Sequence, residues 1–493
     1  MNQIKQLFGQ TAIYGMGTVV PRLLNYILLT PFFTRIFKLG EYGIVTELYA
    51  YVVFLLVILT YGMETGFFRY AEKYRNKDQV FSTSLISLFA TSTIFIMAVW
   101  LFAKNIADIL GYTDHKEYII QIGLIVGIDA FSAIPFARLR QKNKAMKFAI
   151  IKIAGVLINI CLNFLLLFFI PKYELHTKYV FISYLYRPEI GVGYVFISNL
   201  IASIFTLLML AGEIFKTNLR FDRILWKEMI LYSLPLLVAG LAGTVNETLD
   251  RVLLKHLIEG NVNPLEQLGI YGANYKIAVL MQLFIQMFRF AAEPFYFSKA
   301  SESKAKELFA DVMKYFIISC MLIFLVVTLY IDFFRYFIGK NFHEGLNIVP
   351  IILYAIFLLG VFFNLSIWYK LTNLTKYGAM ITITGAFITF IINWLFIPRY
   401  GYIASAWAHL ICYLTMVVIS YFIGKKYYDV PYKLKSIVIY ALVPVLIYKF
   451  ANWLNIEAGG IKIILHTVLL LVFVMMVVII EKRNIKSIFI NSE

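Results

Sequence analysis

Charged side chains are scarce in this chain of 493 residues. Asp, Glu, Lys and Arg together make up 15% of it, whereas a soluble domain usually carries about 25%. Apolar residues make up 61%, which leaves too little polar surface to cover a water-soluble protein of this length. The low charge therefore excludes a water-soluble fold, and lipid is the natural solvent for most of the surface.

Cysteine is almost absent as well. Cys161, Cys320 and Cys412 each lie inside an apolar run and form no CxxC pair, so disulfide, thiol and metal chemistry have little support. The six histidines have no metal-ligand spacing either. The sequence shows no nucleophile motif, no phosphate-binding loop and no pair of catalytic acids. We therefore expect no metal, no cofactor and no enzymatic activity.

The excess of basic residues gives a net charge of +17 but forms no single patch, so we expect no nucleic-acid partner. Lys and Arg are concentrated in alternate connections between apolar runs, with the most basic ones near 69–77, 138–147, 216–227 and 425–435. Such connections face the cytoplasm in membrane proteins. The pattern predicts that both termini are cytoplasmic.

Long apolar runs predict an all-α membrane protein with about fourteen spans, since each span needs roughly twenty apolar residues. The connections are short and leave no room for a soluble domain. The predicted helices lie near 11–36, 43–68, 81–103, 117–138, 147–170, 190–212, 228–251, 267–291, 308–331, 346–369, 377–397, 401–424, 434–453 and 460–480.

Short motifs recur at a nearly constant offset. LGEYG at 39–43 returns as LGIYG at 268–272, 229 positions later, and GTV at 17–19 returns at 243–245, 226 positions later. A repeat of six helices leaves the chain on the side where it began, so the two repeats share one orientation.

The repeat predicts an N-terminal six-helix lobe at 1–215 and a C-terminal six-helix lobe at 216–427. Two additional helices and a cytoplasmic tail follow at 428–493. Two such lobes would enclose a central cavity, and rocking them would give alternating access. A structural membrane protein duplicated for stability is the alternative.

Ionisable residues inside the predicted spans are the candidate functional residues, because a charge in lipid is costly. Cations are candidate ligands for an anionic headgroup: Arg22, Lys152, Lys276, Arg289 and Arg251. Carboxylates are candidate sites for a coupling ion, H⁺ or Na⁺: Glu64, Asp129 and Asp250.

Several of these residues also have a structural interpretation. Arg289 has Glu293 four residues away on one helix face, and Glu64 has Arg69 five residues away. Extension of a long side chain to the membrane interface is the corresponding alternative for Lys152, Arg289 and Glu47.

Several glycine-containing stretches resemble one known family. They are LDRVLL at 249–254 followed by LGIYGANYK at 268–276, YG at 14–15 through LGEYG at 39–43, and GMETGFFR at 62–69. They are similar to the polysaccharide-export flippases of the multidrug/oligosaccharidyl-lipid/polysaccharide (MOP) superfamily. Helix number, repeat and connection lengths extend the resemblance over the whole chain.

The resemblance implies a two-lobed, MATE-like transporter in a bacterial inner membrane. Its substrate would be an undecaprenyl-pyrophosphate-linked oligosaccharide repeat unit, moved from the cytoplasmic to the periplasmic leaflet for O-antigen or capsule synthesis. Relatives that flip the peptidoglycan precursor place cavity arginines against the pyrophosphate, which implies that role for Arg22. The two additional helices resemble those that form a lipid groove in these relatives. We expect a monomer among membrane lipids, with polysaccharide polymerase machinery as a partner.

Two other functions remain open. A multidrug or cation antiporter of the same superfamily would prefer a cavity lined by carboxylates and usually has twelve helices. A polymerase or ligase would need a large periplasmic loop, whereas the longest outer connection here is 171–189.

Overall fold

The computed structural model describes Gly15 and residues 17–179, 182, 186–260, 262–457 and 459–490, with side chains as far as Glu481. All regular structure within this part of the chain is helical. Thirteen of its helices are long and apolar enough to cross a membrane. The predicted all-α polytopic fold is therefore confirmed.

The predicted first helix is only partly described. Residues 17–36, here α1, are helical and include a π-helical turn at Asn25–Leu29. Residues 11–14 and 16 of that prediction lie outside the described residues.

The thirteen membrane-length helices follow the predicted order. They are α2 Leu39–Lys73, α3 Lys77–Leu101, α4 Lys116–Gln141, α5 Ala145–Lys172, α6 Gly193–Ile214, α7 Arg223–Leu257, α8 Pro264–Lys299, α9 Ala305–Leu329, α10 Lys340–Leu371, α11 Thr375–Tyr400, α12 Tyr402–Tyr427, α13 Leu434–Trp453 and α14 Gly460–Glu481.

The largest boundary differences occur at α7 and α8. Both extend beyond the predicted 228–251 and 267–291 at each end. Apolar runs mark only the part of a helix that lipid surrounds, whereas the backbone hydrogen bonds continue through polar turns in water. Hydropathy therefore underestimates a helix that projects from the membrane.

The described chain forms two compact units, Met1–Gly272 and Ala273–Glu493. The first unit contains α7, which packs chiefly on α2. The division into lobes at 1–215 and 216–427 follows the sequence repeat and stays a prediction.

The first unit contains a network of charges at its predicted cytoplasmic side. Arg138, at the end of α4, is almost fully buried, and its NH2 lies 2.7 Å from Oδ1 of Asp78. Its NH1 donates to the carbonyl oxygen of Glu213 at 2.8 Å. The Glu213 carboxylate in turn accepts from Lys144 and Lys147, each at 2.9 Å. These charges connect the ends of α3, α4 and α6.

A second polar group lies at the predicted outer side of the same unit. Glu47 of α2 is fully buried, and its Oε2 lies 2.9 Å from Nζ of Lys255 on α7. Tyr112, in the connection after α3, donates to the same carboxylate. Burial and the neighbouring Glu47 raise the pKa of the Tyr112 hydroxyl, which keeps the donated proton in place. The interpretation that Glu47 extends to the interface is wrong, because packing against α7 supplies its partner.

In the second unit, polar contacts hold α14 against α9 near both ends of the span. Nζ of Lys314 lies 2.6 Å from Oε2 of Glu481, and Tyr440 donates to Oε1 of Glu481 at 2.9 Å. At the other end, Lys462 donates to Asp332 at 2.7 Å. This hydrogen bond lowers the pKa of the Asp332 carboxyl, which lies between spans.

Candidate functional site in the first unit

The charged candidates of the first unit gather around Lys152 of α5. Its ammonium lies 4.0 Å from the ring centroid of Phe136. It interacts electrostatically with two carboxylates and two guanidinium groups. These groups are here called the Lys152 cluster: Arg22, Glu64, Asp129, Arg140 and Lys152.

Arg22 reaches the cluster from α1, where the helix is irregular. It follows Pro21, and the π-helical turn Asn25–Leu29 begins three residues later. Single π-helical turns inside helices are frequent at functional sites. The Arg22 side chain is exposed, as its proposed contact with a ligand requires.

Glu64 reaches the cluster because α2 is interrupted just before it. Tyr61 and Gly62 have φ angles of 35° and 70°, which break the helix and start a new one at Met63. A side chain at Gly62 would be strained by this backbone and would press on the carbonyl oxygen of Ser233. The break places Glu64 in a first helical turn, where a carboxylate is favourable.

The partner of Glu64 is Arg140, at the end of α4. NH2 of Arg140 donates to Oε1 of Glu64, and the guanidinium lies 4.9 Å from the ring centroid of Phe68. The alternative pairing of Glu64 with Arg69 is wrong. Arg69 instead lies over the ring of Tyr232, 4.2 Å from its centroid, because the turn of the helix directs it toward α7.

Asp129 connects the cluster to α6. It accepts a hydrogen bond from Ser203 and interacts electrostatically with Lys152, so α4, α5 and α6 meet at this carboxylate. The cluster holds three cations and two carboxylates. It therefore has a formal excess of one positive charge when all five groups are ionised.

The candidates Asp250 and Arg251 lie on α7 of the same unit. Asp250 is fully buried, and Arg251 interacts electrostatically with Tyr42 of α2. Arg251 thus belongs to the α2–α7 contact, and both residues lie about one helical turn before Lys255.

The two remaining candidates, Lys276 and Arg289, belong to α8 in the second unit. Lys276 is exposed. Nε of Arg289 donates to Oε1 of Glu293 at 3.0 Å, so the predicted pairing on one helix face is present. Lys370 of α10 donates to the same oxygen at 2.6 Å. Arg289, Glu293 and Lys370 are here called the Glu293 cluster.

Sequence reasoning missed Arg140 and Lys370, because both stand among the basic residues that mark the cytoplasmic connections. The internal repeat is the signal that finds them. Glu64 and Glu293 are 229 positions apart, and Arg140 and Lys370 are 230 apart. These offsets agree with the 229 positions that separate LGEYG from LGIYG.

The chain matches the family of polysaccharide biosynthesis proteins over residues 9–301. Its fold is similar to that of the lipid II flippase MurJ in an inward closed conformation, with a TM-score of 0.72 and 16% identity over 96% of this chain and 100% of that one. It is also similar to MATE in the straight conformation, with a TM-score of 0.60 and 13% identity over 86% of this chain and 95% of that one. No curated protein matches the chain in sequence. These comparisons, with the thirteen apolar helices of the described residues, indicate a multi-pass membrane protein with a fold similar to that of these two proteins.

Proposed function

Because this chain belongs to the family of polysaccharide biosynthesis proteins, we propose that it is a flippase for an undecaprenyl-pyrophosphate-linked oligosaccharide repeat unit. It moves this lipid from the cytoplasmic to the periplasmic leaflet of a bacterial inner membrane by alternating access, for the synthesis of O-antigen or capsule. The observation that carries the proposal is the Lys152 cluster.

The cluster suits a pyrophosphate for electrostatic reasons. Cations inside membrane spans are costly and are retained where they serve a function. Two of the three cations here are arginines, whose planar guanidinium groups bind phosphate oxygens through two parallel hydrogen bonds. Glu64 and Asp129 hold the cations in place when no headgroup is bound. Their two negative charges do not neutralise the three positive charges of the cluster, so binding of an anionic headgroup remains favoured.

The likeness to solved folds supports a flippase over a drug antiporter. The likeness to the lipid II flippase covers 96% of this chain, whereas the likeness to MATE covers 86%. The antiporter stays the second candidate, favoured by Asp129, a carboxylate at the meeting point of three helices.

We expect Arg22→Ala and Lys152→Met each to slow flipping at least about tenfold, because each removes a charge-assisted contact of about 1.5–3 kcal/mol. The measurement is leaflet-resolved flipping of a fluorescent undecaprenyl-pyrophosphate oligosaccharide in liposomes that contain the purified chain. Lys216→Met, an exposed cation in the connection after α6, is the matched control and should leave the rate unchanged.

An unchanged rate in Arg22→Ala, at equal protein level, would show that Arg22 does not bind the headgroup. Absence of flipping by the unaltered chain, together with transport of organic cations, would favour the antiporter.

We propose further that a coupling ion, H⁺ or Na⁺, binds a carboxylate, with Asp129 ahead of Glu64 and Asp250. Glu64 is engaged by a guanidinium and Asp250 lies outside the Lys152 cluster, whereas Asp129 lies within the cluster and receives the Ser203 hydroxyl in addition to its interaction with Lys152. Asp129→Asn should therefore remove the dependence of flipping on an imposed H⁺ or Na⁺ gradient while flipping continues without the gradient. A gradient response equal to that of the unaltered chain would exclude Asp129 as the coupling site.

A further inference from the structure

We infer that the Glu293 cluster is a second binding site for a diphosphate group, equivalent by the internal repeat to the Glu64–Arg140 pair. Each repeat has a carboxylate on its second helix and a cation near the end of its fourth helix, at offsets of 229 and 230 residues. The assignment of the ligand class rests on the proposed function, because a pyrophosphate lipid is the anion that the chain is proposed to carry.

The equivalence of the two ion pairs follows from their positions. In the first repeat the pair joins α2 to α4, and in the second it joins α8 to α10. These are the second and fourth helices of each repeat. An offset of 229–230 residues at both partners means that the duplicated segment retained the pair along with its glycine motifs.

The local geometry of the Glu293 cluster favours a ligand. Both donors, Nε of Arg289 and Nζ of Lys370, point at one atom, Oε1 of Glu293. The Arg289 guanidinium also lies over the ring of Phe363, 4.5 Å from its centroid. These residues line a pocket together with Tyr296. Two cations that share one carboxylate oxygen leave one positive charge in excess, and a diphosphate offers several oxygens in its place.

Exposure separates this cluster from a structural ion pair of the same unit. The Arg289 and Lys370 side chains are 47% and 26% exposed. Lys314 and Glu481, which hold α14 to α9, are 2% and 3% exposed. Glu481 also accepts a hydrogen bond from Tyr440. Unlike that buried and balanced pair, the Glu293 cluster is accessible and has an excess positive charge, so an anionic ligand can reach it.

The experiment measures binding by isothermal titration to the full chain in lipid nanodiscs. Inorganic pyrophosphate and farnesyl pyrophosphate are titrated separately. All variants carry Arg22→Ala, Arg140→Ala and Lys152→Met, so that the Lys152 cluster of the first unit does not contribute. Lys370→Met should weaken binding at least about tenfold through loss of a charge-assisted hydrogen bond. Lys370→Arg should keep most of the affinity.

A second variant changes the affinity in the opposite direction. Glu293→Gln removes the carboxylate that competes with the ligand and should tighten binding several-fold, which a folding defect cannot do. Lys299→Met is the matched control, since Lys299, at the end of α8, forms an exposed pair at 2.6 Å with Glu302 in the following connection, outside the pocket.

Equal effects on both ligands assign the site to the diphosphate itself, and an effect on farnesyl pyrophosphate alone assigns it to a lipid-linked diphosphate. Both results support the site. Lys370→Met binding like Lys299→Met would overturn it, as would weaker binding in Glu293→Gln. If binding follows the expected pattern but the unaltered chain does not flip the substrate, the site is kept and the proposed function is contradicted. Normal flipping with no effect of Lys370→Met on binding would contradict the site alone.

Discussion

Lys314→Met is expected to destabilise the protein by about 3–5 kcal/mol, the usual cost of removing one partner of a buried ion pair. Nζ of Lys314 lies 2.6 Å from Glu481, and both side chains are almost completely buried. Without the ammonium, the buried Glu481 carboxylate loses a charge-assisted hydrogen bond, and the hydroxyl of Tyr440 supplies no compensating charge. Either the carboxylate stays ionised in an apolar environment or it takes up a proton, and both cost free energy.

The effect should be large because most of α13 and α14 lies at the surface of the unit, where few buried side chains add to the polar contacts. Only 17% and 11% of the residues in the most apolar 18-residue stretches of α13 and α14 are buried inside the protein, so most of both helices is available to lipid. Lipid is as apolar as the side chains it surrounds, and helix association in a membrane therefore depends on packing and polar contacts. The pair between Lys314 and Glu481 supplies such a contact.

The loss of stability in Lys314→Met is measured by thermal unfolding of the detergent-purified chain. Lys462→Met is the control, because Lys462 and Asp332 are partly exposed and such a pair contributes about 1 kcal/mol or less. The double variant Lys314→Met with Glu481→Leu should recover most of the loss, since it leaves no buried charge. Melting of Lys314→Met at the temperature of the unaltered chain would show that the pair is not stabilising.

Gly269→Val is expected to reduce both stability and flipping more strongly than Gly212→Val. A Cβ on Gly269 would overlap the carbonyl oxygen of Leu39, and a Cβ on Gly43 would overlap that of Leu265. The two repeated motifs, 39–43 and 268–272, thus contact each other through their glycines. Small residues at helix contacts allow such close approach of two backbones.

The clash involves backbone atoms, which cannot rotate away as a side chain can. Overpacking of a well-packed contact typically costs about 1–3 kcal/mol, and the beginnings of α2 and α8 would have to separate to relieve it. Thermal unfolding and the liposome flipping rate measure the effect. Gly212→Val, on α6, is the control, because a Cβ there meets open space. Equal behaviour of the two variants would contradict the close contact of the motifs.

The order and number of the helices could be predicted from the sequence because both are local properties. A chain in lipid must satisfy its backbone hydrogen bonds within each span, so an apolar run of sufficient length can only be a helix. The predicted helix at 434–453 matches α13 at both ends. The internal repeat was readable for the same reason, since the recurrence of LGEYG as LGIYG needs no spatial information.

The partners of the charged residues could not be predicted in this way. Arg22, Glu64, Asp129 and Lys152 were predicted individually from their depth in the membrane, and the structure brings them together with Arg140.

Pairing required the tertiary structure because the partners of these charges lie far away in the sequence. Glu64 has Arg69 nearby but binds Arg140, 76 positions away, and Glu47 binds Lys255, which is more distant still. The sequence by itself therefore determined the helices and the repeat, since apolar length and spacing are sufficient for these. The tertiary structure decided which charges meet, because only helix packing selects among partners that are equivalent in sequence.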